Sequence, residues 1–445
     1  MKRIAKAVPL MVFLLSTAML FAGGDKEEGA AEAKGPVTVT FMATESGLPS
    51  DSIEHFNANH PNIKLVRVER DYTKWMADAM AGTAADLVQV GIGTDAAYYA
   101  SRGLLLDITG YIENSDVIKM DDIDMKGSES YKWNGEEYGK GKWYGLPFDY
   151  NNIGCVTYNK MLFAEAGVPN LSPDKPVTYP ELRKIAEKLT AKDANGDVVI
   201  WGTDFTVQWI KFLVSDMATA DDVSFYTDDT LSEMNDTNKL NEKWLYFARL
   251  IKDDIAGNIN NPVPGWAGAA FQSDRIGLVQ LGYWYGDQLK ANEGYAEKYG
   301  WAPTPKLNEN APHVTNNLGA TGVSIYSQSK NPEEAFTVLE WRVGGWEGKR
   351  RAANGWGIPP LYSLQKLSPR DEAYDRERLQ VAMYDIEHMV PWQATPLITS
   401  DMWNGSWSKY IDDLVEGKIS EEEFIDKYYA NVDELLEIGK EELGY

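Results

Sequence analysis

Between residues 37 and 90, short apolar runs of strand period alternate with stretches of helical period, and that alternation restricts the chain to few architectures. Residues 37–42 (VTVTFM) are β-branched and alternating, residues 63–68 repeat the pattern, and residues 86–90 (DLVQV) form a compact run suited to a buried strand. Between them, residues 52–59 read as a helix stopped by Pro61, and residues 72–81 as a second helix. Strand, helix, strand, helix, strand predicts a parallel α/β sheet, whose ligands sit beyond the carboxyl ends of its strands. The loops at those ends carry Glu45 and Ser46 after the first strand, and Thr94 and Asp95 after the third. All four are candidate hydrogen-bond partners on one rim, although such residues serve equally well as solvated turn chemistry.

A length of 445 residues exceeds one ordinary core and implies two or three domains. The stretch from 142 to 160, KWYGLPFDYNNIGCVTYNK, reads as the join. A turn at Gly145, Leu146 and Pro147 leads past Asp149, Tyr150 and Asn152, a candidate binding edge, into the apolar run 153–158. That run is expected to be a strand crossing from one lobe to another. Residues 159–169 then read as a short helix ended by Gly167 and Pro169.

Further along, Thr178 and Glu181 make a capping box with Pro180 just inside the helix, and Ser420 with Glu423 makes another, ahead of an amphipathic helix to about 439. Asn331-Pro332-Glu333-Glu334 opens a helix to about 343, and residues 320–326 read as a strand. Asp193-Ala-Asn195-Gly196-Asp197 has oxygen ligands at alternate positions, but its glycine falls fourth where a calcium loop needs it sixth, which favours a plain turn.

Several of these segments, in their order, resemble the family of extracellular sugar-binding proteins that serve ABC importers. The carriers are HFNANHPNIKL, AADLVQV, SRGLLLDITGYI, Tyr-Gly-Leu-Pro followed by Tyr-Asn-Lys and Ala-Gly-Val-Pro, and AAFQSDRIGLVQL followed by Gly282-Tyr283-Trp284. In the last, Asp274-Arg275 replaces the family's Gly-Lys. Residues 301–305 resemble a second inter-lobe passage and residues 355–360 a third, a Gly-x-Pro turn. The resemblance implies an α/β, two-lobe periplasmic-binding-protein fold with three crossings near 148–152, 303–307 and 354–360. The first lobe is then expected to hold 36–149 with 306–355, and the second 152–303 with 358–445. It also implies that Trp284 stacks on a sugar in the cleft and that the closed monomer docks on membrane permease subunits, with no cofactor.

The balance of 43 basic against 67 acidic residues gives −24, which repels phosphate backbones and anionic lipid. No nucleic-acid partner is expected, and neutral or cationic ligands fit better. Residues 1–24 combine Lys2, Arg3 and Lys6 with an apolar run too short for a span, the pattern of a secretory signal. The implied location is periplasmic or extracellular, with residues 25–35 as a flexible tether. Leu20-Phe21-Ala22-Gly23 resembles a lipid-attachment box without its cysteine. The only thiol, Cys155, has no intramolecular partner, so disulfides cannot supply stability.

Tryptophan and tyrosine are abundant, 15 and 24 residues, and several lie beside glycine or proline at strand ends. Indole faces pack against the C–H faces of sugars, and short polar side chains satisfy the hydroxyls. Trp284 with Tyr283 leads the candidates, followed by Trp209 with Gln208, Trp266, Trp356 and Trp403. Trp75, Trp244 and Trp341 sit at helical spacing and read as core. His55, His60, His313 and His388 are scattered without metal-ligand spacing, so no metal site is expected. Two alternatives stay open: a secreted glycoside hydrolase using paired carboxylates, and a sugar sensor that presents its closed form to a membrane receptor.

Overall fold

The structure, a computed structural model, describes residues 35–444 apart from 206, 228–230, 317–319 and 392–393. The expected signal, and all of the expected tether but its last residue, lie outside the described residues.

Two five-stranded sheets organise the chain. In the first, the strands run in the order Ile63–Val68, Val37–Met42, Leu87–Val90, Thr321–Ile325, Leu146–Asp149. The first three are parallel, as the strand and helix alternation predicts, and Thr321–Ile325 returns antiparallel between Leu87–Val90 and Leu146–Asp149. The second sheet runs Tyr299–Ala302, Val156–Asn159, Ile276–Gln280, Val198–Asp204, Ala191–Lys192. Each sheet has its own apolar core: Phe41, Leu87 and Val323 belong to the first, while Phe271, Val279 and Trp301 lie against the second. A two-lobe α/β fold results.

The join differs from the sequence reading in two respects. Leu146 and Pro147, expected in a turn, belong to the strand Leu146–Asp149. It is an edge strand, where proline's missing N–H costs no ladder bond. Residues 153–158, expected as one crossing strand, are interrupted: Cys155 donates its N–H to the Asn152 carbonyl at 3.1 Å, which closes a turn, and the strand begins only at Val156. The connection itself is residues 150–155. Tyr150 there exchanges both backbone hydrogen bonds with Ile358, each 2.9 Å, so the first and third crossings run side by side.

The second passage comes later than 303–307. Lys306 still bonds to Val177 and Tyr179, and Asn316 Nδ2 donates to the Phe212 carbonyl and to Asp216, all second-lobe partners. The stretch that leads up to it is held by Asp385, a fully buried carboxylate on the helix Ala373–Glu387. It accepts from Asn152 Nδ2 at 2.7 Å, from Thr304 Oγ1 at 2.9 Å and from the Thr304 amide, and it lies 2.9 Å from His313 Nε2. One side chain thus ties the first crossing, at Asn152, to the stretch that precedes the second.

Local signals place the helices well. Both capping boxes form, on Tyr179–Leu189 and on Glu421–Leu443, the latter four residues longer than expected. Asp193 Oδ1 accepts the Asn195 and Asp197 amides at 2.8 and 3.0 Å, an ordinary Asx-type turn. Cys155 is a buried free thiol. Among the described residues, no helix is long and apolar enough to cross a membrane.

Candidate functional site

Between the loop ends of the two sheets lies a cavity of about 700 Å³. Its aromatic wall centres on Trp284, which follows the strand Ile276–Gln280 through Gly282, a residue at φ +87° that lets the chain turn sharply. Asn151 Oδ1 accepts the Trp284 amide at 2.9 Å, fixing this tryptophan to the first crossing. Trp209 meets it edge-on with ring centres 6.3 Å apart, and Trp356, on the third crossing, lies tilted at 5.9 Å.

A buried charge pair forms the floor. Arg351 donates to Asp149 at 2.5 Å, and Asn151 Nδ2 donates to the other Asp149 oxygen at 3.2 Å. Burial raises the Asp149 pKa above the ordinary value, against the pull of Arg351 and Arg342. The Arg351 guanidinium also lies over Trp356 and Phe148, 5.1 and 4.9 Å from the ring centres, so the cation is stacked as well as paired.

The opposite wall is polar. Gln89 Oε1 accepts the Thr44 amide at 3.2 Å, and the Tyr72 hydroxyl bridges the Gln89 carbonyl and the Gly91 amide at 2.8 and 2.9 Å. At the seam, Asp95 faces Ser400 and Asp401 at the start of the helix Ser400–Val415. Burial pushes the Asp95 pKa up to about 6, opposed by Lys211 and by Ser400. Burial pulls Lys211 down to about 8, opposed by Asp95 and Asp401. Such a wall offers donors and acceptors to a hydroxylated ligand while the indoles offer flat apolar faces. Among the described residues, no group of three or more His, Cys, Asp or Glu side chains could hold a metal ion.

Of the residues singled out from the sequence, Ser46, Asp95, Asp149, Trp209, Trp284 and Trp356 lie on this cavity wall. Others do not. Tyr150 is buried and donates to Asp124 at 2.7 Å, while Asn152 is spent on Asp385. Tyr283 is buried beneath the Arg378 guanidinium, 4.5 Å from its ring centre. Trp403 is buried in a second-lobe core, stacked on Trp244 with ring centres 6.3 Å apart. Glu45 pairs with Arg67 and accepts the Ser50 amide, and Thr94 is buried outside the wall. Trp266 stands beside Trp284 but outside the cavity wall. The Gln208 side chain lies outside the described residues.

Sequence reasoning missed Asn151, Arg351, Gln89, Tyr72 and Asp401, all on the wall. For Asn151 the signal was present: side chains of an extended chain alternate, so Asp149 and Asn151 share one side while Tyr150 and Asn152 share the other. For Gln89 it was a single polar residue inside an otherwise apolar strand.

Two α/β lobes around an aromatic and polar cleft define a solute-binding protein. Residues 43–342 match the bacterial extracellular solute-binding protein family, and the chain belongs to it. An ABC substrate-binding protein from Listeria monocytogenes, solved in complex with cycloalternan, has the same fold at a TM-score of 0.74 and 21% identity, covering 90% of this chain and 98% of that one. An ABC transporter solute-binding protein from Thermotoga lettingae bound to α-D-tagatose superposes at 0.71 with 19% identity, covering 90% and 100%. An uncharacterized lipoprotein of Streptomyces antibioticus is 21% identical over 353 residues, 74% of this chain and 72% of the relative.

Proposed function

We propose that the cleft binds a carbohydrate outside the cytoplasm and delivers it to an ABC-type permease. The observation that carries this is the cluster of Trp209 and Trp356 around Trp284 opposite a polar wall in one cavity. Indole faces take the C–H faces of a sugar ring, and Gln89, Asp95, Asp149 and Asn151 take its hydroxyls. The sugars held by the Listeria and Thermotoga proteins support the same ligand class.

In this reading, residues 36–149 with about 320–355 form one lobe, and residues 152–316 with 358–445 form the other. A ligand that touches both walls only when the lobes are closed favours closure by differential affinity. A micromolar dissociation constant, roughly −8 kcal/mol, suits capture and later release. The protein acts by binding and turns nothing over. It works after export, without a lipid on residues 20–23, where no cysteine is present.

A thermal-shift screen against mono- and oligosaccharides tests the ligand class, since a ligand specific to the folded state raises the melting temperature by mass action. No shift with any sugar at millimolar concentration overturns it. Release of reducing ends by the pure protein, abolished by replacing one cleft carboxylate, would make it a hydrolase instead.

A further inference from the structure

Two tryptophans among the described residues are conspicuously exposed, Trp266 at 44% and Trp346 at 39%. Trp346 is covered: His55 stacks on it with ring centres 3.5 Å apart and an interplanar angle of 11°, and Arg350 lies over it at 5.3 Å. Among the described residues, no imidazole or guanidinium covers Trp266 in that way. Its ring contacts are Trp284, at 6.3 Å and 15°, and the edge of Tyr285, at 5.9 Å. The nearly parallel planes at that separation make Trp266 and Trp284 offset steps of one aromatic surface. Trp284 lines the cavity and Trp266 lies just beyond its wall.

Trp266 is also held rigidly. Its loop is Pro262-Val263-Pro264-Gly265, in which both prolines fix their backbone angle and Gly265 takes φ +79°. The indole lies on Gly268, where any Cβ would collide with it, and the Tyr285 hydroxyl donates to the Gly268 carbonyl at 2.6 Å. The part of the Trp266 indole left in water gains nothing for the fold. An indole locked in place beside a binding wall is prepared for a ligand.

We propose that Trp266 is an outer subsite and that the ligand is an oligosaccharide of two or more units, with one ring on Trp284 inside the cleft and a further ring on Trp266 at its mouth. This rests on the carbohydrate reading above. A cavity of about 700 Å³ lies toward the upper part of the size range usual for small-molecule sites, in keeping with a ligand larger than one ring.

The test compares wild type, Trp266→Ala and Trp266→Phe on an array of immobilised gluco-, manno- and galacto-oligosaccharides from one to six units. Hits are then titrated in solution. Wild type should prefer chains over their monosaccharide. Trp266→Ala should lose at least about tenfold on the chains and little on the single ring, and Trp266→Phe should recover part of the loss. Unchanged affinity of Trp266→Ala for every length, or a monosaccharide bound as tightly as its chains, overturns the outer subsite and leaves the carbohydrate reading standing. Capture of no glycan of any length overturns both. Melting temperatures of the three proteins report whether the exposed position affects folding.

Discussion

Asp95 Oδ1 accepts two hydrogen bonds from Ser400, one from the backbone amide and one from the hydroxyl, both at 2.9 Å. The acceptor follows the strand Leu87–Val90 of the first sheet and the donors open the helix Ser400–Val415, so this pair joins the two walls of the cleft. About two turns further on, Arg102 adds to the seam by donating to the Pro396 carbonyl at 2.9 Å and to Glu442. The pKa of Asp95 is raised by burial to about 6 from 3.8. Between those values the folded protein holds a proton that the unfolded chain has lost, so stability falls as pH rises through the window and is highest below it. We expect the melting temperature of wild type to carry a downward component from about pH 4 to about pH 6 that Asp95→Asn lacks; parallel slopes in the two proteins would refute it.

Trp284 is the residue on which three other tryptophans converge. Trp284→Ala should weaken binding of the sugar found in the screen by at least about tenfold, roughly 1.4 kcal/mol. Calorimetric titration checks this, and an unchanged affinity removes Trp284 from the site.

Trp403 should behave in the opposite way. It is packed against Trp244 and Tyr428 and lines no part of the cleft. Trp403→Ala should cost about 3–5 kcal/mol in urea unfolding by opening a hole in a packed core. The fraction that remains folded should bind with near wild-type affinity.

Asp385 accepts from Asn152 Nδ2, from the Thr304 amide and from the Thr304 hydroxyl. Asp385→Ala strands all of these buried donors, and at about 1–3 kcal/mol each the loss should reach at least about 3 kcal/mol. Equilibrium unfolding measures it; a change below about 1 kcal/mol would mean that water has taken the carboxylate's place.

At Thr178 the effect is local. Its side chain accepts the Glu181 amide at 3.2 Å, and Glu181 answers at the Thr178 amide at 2.8 Å. Thr178→Ala should cost about 1 kcal/mol, read from the denaturation midpoint at unchanged slope.

What was legible in the sequence was short-range. Capping residues, strand runs and their alternation with helices depend on neighbours within a few positions, and so Tyr179–Leu189 and Val37–Met42 could be read directly. The crossing was harder because the run 153–158 looks uniform, while its first three residues turn and its last three join a sheet. Partner choice was out of reach: Tyr150 looks like a binding residue until Asp124 is found beside it. Arg351 and Asp401 arrive at the cleft from elements far along the chain, and no spacing announces them. A tryptophan's type says that it will pack, but not whether against core, as Trp403 does, or beside a cavity, as Trp209 does.

Because Tyr150 and Ile358 trade both of their main-chain bonds, the adjoining connections behave as a two-ply ribbon. Sliding one half past the other would shear both bonds at once, whereas swivelling about the ribbon keeps them. In the closure proposed above, each half would therefore travel as a unit. For the permease proposed above, the spacing between two unchanging surfaces would then tell loaded from empty.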